Sequence, residues 1–165
     1  MYIIGKYWDG YIGGTDDSLT LLEYLACKQK EEITLTEIFS DTGLDKLCWK
    51  FRQTDQMLEY RDAEGREYPF YYAIDLITDL SALMLECKMC GRVNLCELFG
   101  GSLETEFPEV RIIATEEEQG QMNAALMDFV SDPLAYDLSE MCSEDDMREM
   151  AELCEKLRKE FIQRK

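Results

Sequence analysis

Residues 73–90 read AIDLITDLSALMLECKMC and carry the clearest structural signal in the chain. Apolar side chains surround a narrow stripe formed by Asp75, Asp79 and Glu86, whose spacing is that of an α-helix. The other sides of this helix are apolar, so we expect it at the centre of the core with its acidic stripe facing solvent. Gly91 follows at a position where glycine commonly ends a helix.

Further helices are predicted on both sides of this stretch. The segment Thr15-Asp16-Asp17-Ser18 supplies capping side chains ahead of a helical apolar pattern, and Ser143 stands in the same position before the last apolar pattern. The additional predicted helices cover residues 19–28, 34–39, 116–130 and 143–165. Basic residues near the end of the last helix match the negative end of its dipole: Lys156, Arg158, Lys159, Arg164 and Lys165.

Strands are predicted where residues are β-rich or alternate between apolar and polar. These segments are residues 2–8, 48–54, 57–61, 67–72 and 109–115. Asp62-Ala63-Glu64-Gly65 forms a hairpin turn between two of them. No run of alternating strands and helices demands a parallel sheet. We therefore predict an α+β fold, with an antiparallel sheet of about four strands packed against several helices in a single domain spanning residues 1–165.

The charge of the chain limits its partners. Its 165 residues include 35 Asp and Glu against 17 Lys and Arg, a net charge of -18, while 46% of the residues are hydrophobic. Such a field repels nucleic acid and anionic membranes and attracts cationic proteins. The chain lacks a leader-like start and a long apolar run. We expect a soluble, cytoplasmic, protein-binding molecule, although acidity can also serve solubility alone.

Catalysis is disfavoured because the sequence contains no histidine. Histidine is the usual general base near neutral pH and a member of Ser-His-Asp and Cys-His sites. Carboxylate, Lys or Tyr bases stay possible, but the acidic residues fall on helix stripes predicted to face solvent. We predict no enzymatic activity, no catalytic residue and no cofactor.

Seven cysteines make an odd number, which favours free thiols over a disulfide framework. Cys87 and Cys90 are spaced as in zinc-binding or redox motifs, and Cys96 follows. A second such pair is missing, and the first two also fit the apolar face of the helix over 73–90. Core packing is the preferred interpretation, with zinc and redox chemistry as alternatives.

The acidic residues are concentrated in the C-terminal half. Residues 97–155 contain 17 Asp and Glu but only Arg111 and Arg148 as basic residues. This distribution fits a docking surface for a basic protein, or simply solvated helix faces. The acidic candidates for partner binding are Glu116, Glu117, Glu118, Glu144, Asp145, Asp146 and Glu149.

An aromatic stretch near the N-terminus supplies further candidates. Trp8 and Tyr11 flank Asp9, and exposed Trp and Tyr residues are typical interface anchors. The alternative is that these aromatic residues belong to the core. We include Trp8, Asp9 and Tyr11 among the candidate partner-binding residues.

Four stretches together resemble a family of small bacterial immunity proteins found beside polymorphic, contact-delivered toxins. They are YWDGYIGGTDDSL (7–19), FRQT (51–54), FYYAIDLITDL (70–80) and DPLAY (132–136). The resemblance runs over most of the chain. It implies a stoichiometric inhibitor, kept in the cytosol of the toxin-producing cell, that blocks the active site or substrate approach of its toxin.

A negative surface suits a basic toxin such as a nuclease, since the inhibitor competes for the charge that binds phosphates. The resemblance defines no toxin-contact residues. Two other functions stay open at this point: an acidic regulatory or adaptor protein with another basic partner, and a zinc-stabilised module held through Cys87, Cys90 and Cys96.

Overall fold

In the computed structural model, which describes residues 1–163, helix α3 (Ala73–Cys90) lies at the centre of the core. Every residue from Ala73 to Glu86 is buried, and the buried apolar side chains of the chain form one connected cluster around them. The predicted position of α3 is therefore confirmed. The predicted basic chain end at Arg164 and Lys165 lies outside the described residues.

Capping side chains begin the other helices, as predicted for the first and the last of them, whereas the short helix Leu95–Phe99 was not predicted. Thr15 and Ser18 form a reciprocal capping box at the start of the first helix, and Thr115 accepts the backbone N–H of Glu118 at the start of the fifth. The α-helices within residues 1–163 are α1 (Asp16–Cys27), α2 (Leu35–Thr42), α3 (Ala73–Cys90), α4 (Leu95–Phe99), α5 (Glu116–Ser131) and α6 (Glu144–Gln163). Three short 3-10 segments cover Leu44–Leu47, Pro133–Ala135 and Asp137–Glu140.

Side-chain contacts fix the directions of the three long helices. Arg158 near the end of α6 donates to Asn123 in the middle of α5 at 3.1 Å. The end of α5, at Val130 and Ser131, lines a shared pocket with Arg148 near the start of α6, so these two helices are antiparallel. Lys88 near the end of α3 donates to the carbonyl oxygen of Phe161 near the end of α6 at 2.8 Å. Thus α3 and α6 run in the same direction, and their N-terminal ends meet at one end of the molecule.

The strands are divided among three small sheets. β1 (Trp8–Gly10) and β2 (Ile12–Gly13) are parallel, and β4 (Leu58–Arg61) and β5 (Glu67–Phe70) form an antiparallel hairpin. In the third sheet, β7 pairs in parallel with β3 and antiparallel with β6. The bounds of these three are β3 (Glu32–Thr34), β6 (Val93–Asn94) and β7 (Glu109–Ile113).

The α+β class is confirmed, but the strands do not join in one antiparallel sheet of about four. The segment 2–7 turns instead of extending, because the carbonyl oxygen of Ile3 accepts the N–H groups of Lys6, Tyr7 and Trp8 at 2.9–3.2 Å. The segment 48–54 is interrupted at its start, where Cys48 and Trp49 have φ values of 53° and 61°. Left-handed backbone cannot continue a strand.

The predicted hairpin is confirmed in position and in its turn. Gly65 has a φ of 86°, the left-handed conformation expected of glycine there. The N–H of Gly65 donates to the carbonyl oxygen of Asp62, which closes the turn between β4 and β5. As for membrane crossing, no helix among residues 1–163 is both long enough and apolar enough to span a bilayer.

Candidate partner-binding site

Tyr11 connects the N-terminal aromatic stretch to the start of α6. Its hydroxyl oxygen lies 2.6 Å from Oε2 of Glu149 and 3.0 Å from Oδ1 of Asp146. These hydrogen bonds raise the pKa of Tyr11, with Glu149 contributing more than Asp146. Asp9 is exposed two residues earlier, with a φ of 85°. We call the surface formed by Asp9, Tyr11, Glu144, Asp145, Asp146 and Glu149 the acidic ridge.

Trp8 is not part of this exposed surface. Its side chain is 4% exposed and packs directly on Gly13, where an added Cβ would lie 2.1 Å from the indole ring. The structure therefore favours the core interpretation for Trp8. A glycine at position 13, with its φ of 81°, is what allows the indole to approach the backbone so closely.

The three glutamates at the start of α5, which we call the far patch, do not adjoin the acidic ridge. Because α5 and α6 are antiparallel, Glu116, Glu117 and Glu118 lie toward the C-terminal end of α6. At 1.5 Å per residue, the two surfaces are separated by roughly 20 Å along α6. Glu118 also accepts a hydrogen bond from Thr36 of α2 at 2.8 Å. The predicted acidic candidates therefore form two separate surfaces.

Three carboxyl groups of α1 and α3 are buried, and we call them the buried carboxyl cluster. Asp17, Asp75 and Asp79 are 2%, 4% and 1% exposed. The prediction that the acidic stripe of α3 faces solvent is therefore wrong, and the reason is local hydrogen bonding. Asp79 accepts the N–H of Gly13 at 2.9 Å and the hydroxyl of Ser18 at 2.6 Å.

The other two members of the cluster, Asp17 and Asp75, lie close enough for Asp17 to help raise the pKa of Asp75. Asp17 also accepts the backbone N–H groups of Tyr71 and Tyr72 at 2.9 and 3.0 Å. By contrast, Oδ1 of Asp75 is buried and has no hydrogen-bond partner among the described residues. An orphaned carboxyl oxygen in a core is costly, so its presence requires an explanation.

These environments hold protons in the core near neutral pH. Burial, with smaller contributions from the nearby charges of Asp79 and Asp17, raises the pKa of Asp75 to about 9. Burial raises the pKa of Asp79 to about 7 despite the opposing hydrogen bonds from Ser18 and Gly13. In this conformation both carboxyls are enclosed, so they cannot meet a substrate directly.

The far end of the acidic stripe is buried for a different reason. Glu86 is fully buried and accepts the backbone N–H groups of Tyr2 and Ile3 at 3.2 and 2.9 Å. These two hydrogen bonds therefore hold the N-terminal segment against α3. One sequence signal could have indicated this burial: the acidic stripe is very narrow, and a helix surrounded by apolar residues has little room for a solvent-facing side.

The cysteines singled out by their spacing have separate environments. The Sγ atom of Cys87 lies 3.5 Å from the N–H of Ile112 in β7, and burial raises its pKa. Cys90 is exposed, and a hydrogen bond to Glu86 raises its pKa. Within residues 1–163, no group of three or more Cys, Asp or Glu side chains is arranged to hold a metal ion.

A groove of about 580 Å³ lies between segment 49–55 and α5. Arg52 donates two hydrogen bonds of 2.8 Å to Asp128, and the hydroxyl of Tyr136 donates a third at 2.6 Å. The Arg52 guanidinium holds the pKa of Asp128 down to about 2. This carboxylate is therefore an ionised structural group that ties the groove wall to α5.

The fold and these surfaces describe a small, strongly acidic α+β protein with its charge concentrated on exposed helix ends, a form suited to binding another protein. A family model described as "Immunity protein 68" matches residues 2–161, and the chain belongs to this family. Comparisons with curated proteins and with solved structures give no match. Family membership confirms the predicted resemblance to immunity proteins and implies an immunity role through binding a cognate toxin protein.

Proposed function

We propose that the chain neutralises one cognate toxin by binding it stoichiometrically and covering its active or substrate-binding surface. The match to the immunity family over residues 2–161 carries this proposal. In this account the chain acts in the cytoplasm of the toxin-producing cell. It supplies no catalytic group and no cofactor.

We further propose that the toxin is basic, with a nuclease as the favoured activity. A nuclease needs positive charge to hold phosphates, and a chain with a net charge of -18 competes for that charge. The acidic ridge supports this view because its carboxylates project from the start of one helix. In the described residues, Asp9, Asp145, Asp146 and Glu149 form no ion pair with a basic side chain, which leaves them available to a partner.

The proposal is tested with the toxin-like protein encoded beside this chain. The two proteins are co-expressed with a tag on the toxin and purified at low and at high salt. We expect a 1:1 complex whose association slows as salt rises. We also expect cells expressing the toxin to survive only when the chain is present.

A titration of nuclease activity then tests the mechanism. Activity should fall linearly and end at one chain per toxin, as for a tight stoichiometric inhibitor. Absence of both complex and protection would refute the immunity role for this pair. A complex that protects cells from a toxin without nuclease activity would refute only the nuclease assignment.

A further inference from the structure

One end of the molecule collects the N-termini of three helices. Asp17 at the start of α1 accepts the N–H groups of Tyr71 and Tyr72, just before α3. The start of α6 joins the same region, because the charges of Asp75 and Asp146 both raise the pKa of Cys142, after burial as the main cause. We call the exposed surface here the end face. It consists of Asp16, Tyr71, Glu140 and Met141. Asp137, beside them, is half-buried, and its Oδ2 accepts the N–H of Thr54 at 2.9 Å.

The negative charge of the end face has no basic partner in the described chain. Asp16, Asp137 and Glu140 are absent from the ion pairs that hold other carboxylates, such as Glu160 with Lys6. The charged groups that raise the pKa values of the buried cluster are also carboxylates, including Asp16 and Asp137. The ionised carboxylates of the end face and of the cluster therefore repel each other, and this repulsion is relieved by protons held in the cluster or by an external cation.

Two large apolar side chains stand on the same surface. Tyr71 is 65% exposed and Met141 is 71% exposed, although both neighbour buried segments. Tyr72, the next residue, lies near the segment that precedes Met141, because burial and then the charges of Asp137 and Glu140 raise its pKa. Exposed aromatic and Met side chains beside a charged rim are the composition of a protein interface.

The orphaned oxygen of Asp75 is an independent sign that this region is incomplete by itself. Asp75 is 4% exposed, and its Oδ1 atom has no hydrogen-bond partner among the described residues. A cation docked above the cluster would stabilise the ionised form of these groups. The acidic residues of the end face thus favour a positively charged partner, and its exposed apolar side chains favour a protein over a small ion.

We propose that the cognate toxin docks on the end face with a cationic segment, whose Lys or Arg side chains meet the acidic rim while Tyr71 and Met141 supply the apolar contacts. This inference rests on the proposed immunity function and identifies the surface that performs it. It assigns the far patch at Glu116–Glu118 no direct contact with the toxin.

Binding on the end face should release protons from the core. A docked cation lowers the pKa values of Asp75 and Asp79, which are about 9 and 7 in the free chain. The complex then holds fewer protons than its separate components, so affinity rises with pH between about 6 and 9. The groups that face the cluster are Asp16, Asp17 and Ser18 of α1, Gly13 of β2, Tyr72, Asp137, and Cys142 and Cys154 beside or within α6.

The test measures the binding kinetics of the inactivated toxin domain with the wild-type chain and with three double variants of it. Tyr71→Ala with Met141→Ala should raise the Kd about 100-fold, mainly through faster dissociation. Asp16→Asn with Glu140→Gln should slow association about 10-fold at low salt. The matched control, Glu116→Gln with Glu117→Gln, removes the same charge from the far patch and should change either rate less than about twofold.

Calorimetry in two buffers of different ionisation enthalpy adds a readout that a purely structural role would not move. The wild-type chain should release protons on binding at pH 8, and Asp75→Asn should release markedly fewer while binding the toxin. Loss of binding in the far-patch variant with unchanged end-face variants would overturn the inference but leave the immunity function intact. Failure of the wild-type chain to bind the toxin at all would overturn both.

Discussion

The two ends of the α3–α6 pair place carboxyl groups in opposite environments. At the C-terminal end, burial raises the pKa of Glu160, but hydrogen bonds from Lys6, Tyr2 and Tyr7 outweigh it and bring the pKa to about 2. At the N-terminal end, burial and neighbouring carboxyls raise the pKa of Asp75 to about 9. A carboxyl group is thus ionised and hydrogen-bonded at one end, and buried and protonated at the other.

This difference separates carboxylates that maintain the fold from those available to a partner. Nζ of Lys6 lies 2.7 Å from Oε1 of Glu160, so this carboxylate is already paired and is not available to a toxin. The end face keeps its charge unpaired at a cost in stability, a pattern typical of functional sites. Four substitutions in these regions test this difference.

The largest effect is expected at the backbone that supports the buried cluster. Gly13→Ala would place a Cβ 2.1 Å from the Trp8 ring at a φ of 81°. It should lower the free energy of unfolding by about 3 kcal/mol, measured by urea denaturation, because overpacking adds to backbone strain. Gly65→Ala is the control, since its φ is 86° but nothing lies within 4 Å of the added atom. Its cost should be about 1 kcal/mol, and equal losses at both positions would contradict the account.

The second effect is a stabilisation that depends on pH. Below pH 3.8, the ordinary pKa, Asp75 is protonated in both states; above it, only the folded state keeps the proton until pH passes about 9. The free energy of unfolding of the wild type should therefore fall across this window. Asp75→Asn should remove that loss and stabilise the protein by about 2 kcal/mol at pH 8.

Stability curves of both proteins between pH 4 and pH 9 check this prediction. The difference between them should shrink toward zero as the pH approaches 4. A difference that stays constant across the range would show that Asp75 does not hold a proton in the folded state.

The third effect is a destabilisation, at the C-terminal end of the α3–α6 pair. Glu160→Gln should lower the free energy of unfolding by about 1.5 kcal/mol at pH 7, because charged hydrogen bonds from Lys6, Tyr2 and Tyr7 are weakened. The wild-type contribution is present above the ordinary pKa of 4.5 and is lost as pH falls toward about 2. Acid denaturation of the variant should therefore be less steep. Glu67→Gln, in an exposed pair with Arg61, is the control and should cost under about 0.5 kcal/mol.

The smallest effect on stability is expected at the acidic ridge. Tyr11→Phe removes the hydroxyl that lies between Asp146 and Glu149. On this exposed surface the urea midpoint of the variant should match that of the wild type. A clearly lower midpoint would mean that the acidic ridge maintains the fold and is not available to a partner.

Much of the fold could be predicted because helix signals are local. The bounds of α3 and its terminal Gly91, the start of α5 after Thr115, and the turn at Gly65 each follow from residues close in sequence. The sheet arrangement could not be predicted, because strand pairing depends on distant residues. An example is β3, which pairs with β7 about 80 residues later in the chain.

The candidate site was predictable in its residue types but not in its arrangement. Charge clustering identified the start of α6, and the aromatic stretch identified Tyr11, yet only the fold shows that Tyr11 touches Asp146 and Glu149. Exposed Tyr71 was missed because its apolar neighbours in sequence indicated core. Helical periodicity also led to the wrong prediction that Asp75 and Asp79 face solvent. Periodicity cannot show that polar groups distant in sequence will pack against the acidic stripe of a helix.

Hydrogen–deuterium exchange of the full chain, alone and with the inactivated toxin domain, shows which surface the toxin covers. Docking on the end face should slow exchange at Tyr71 and Tyr72 and across residues 137–146. Exchange at the start of α5, residues 116–122, should stay unchanged. Slower exchange confined to the start of α5, with residues 137–146 unaffected, would contradict the account.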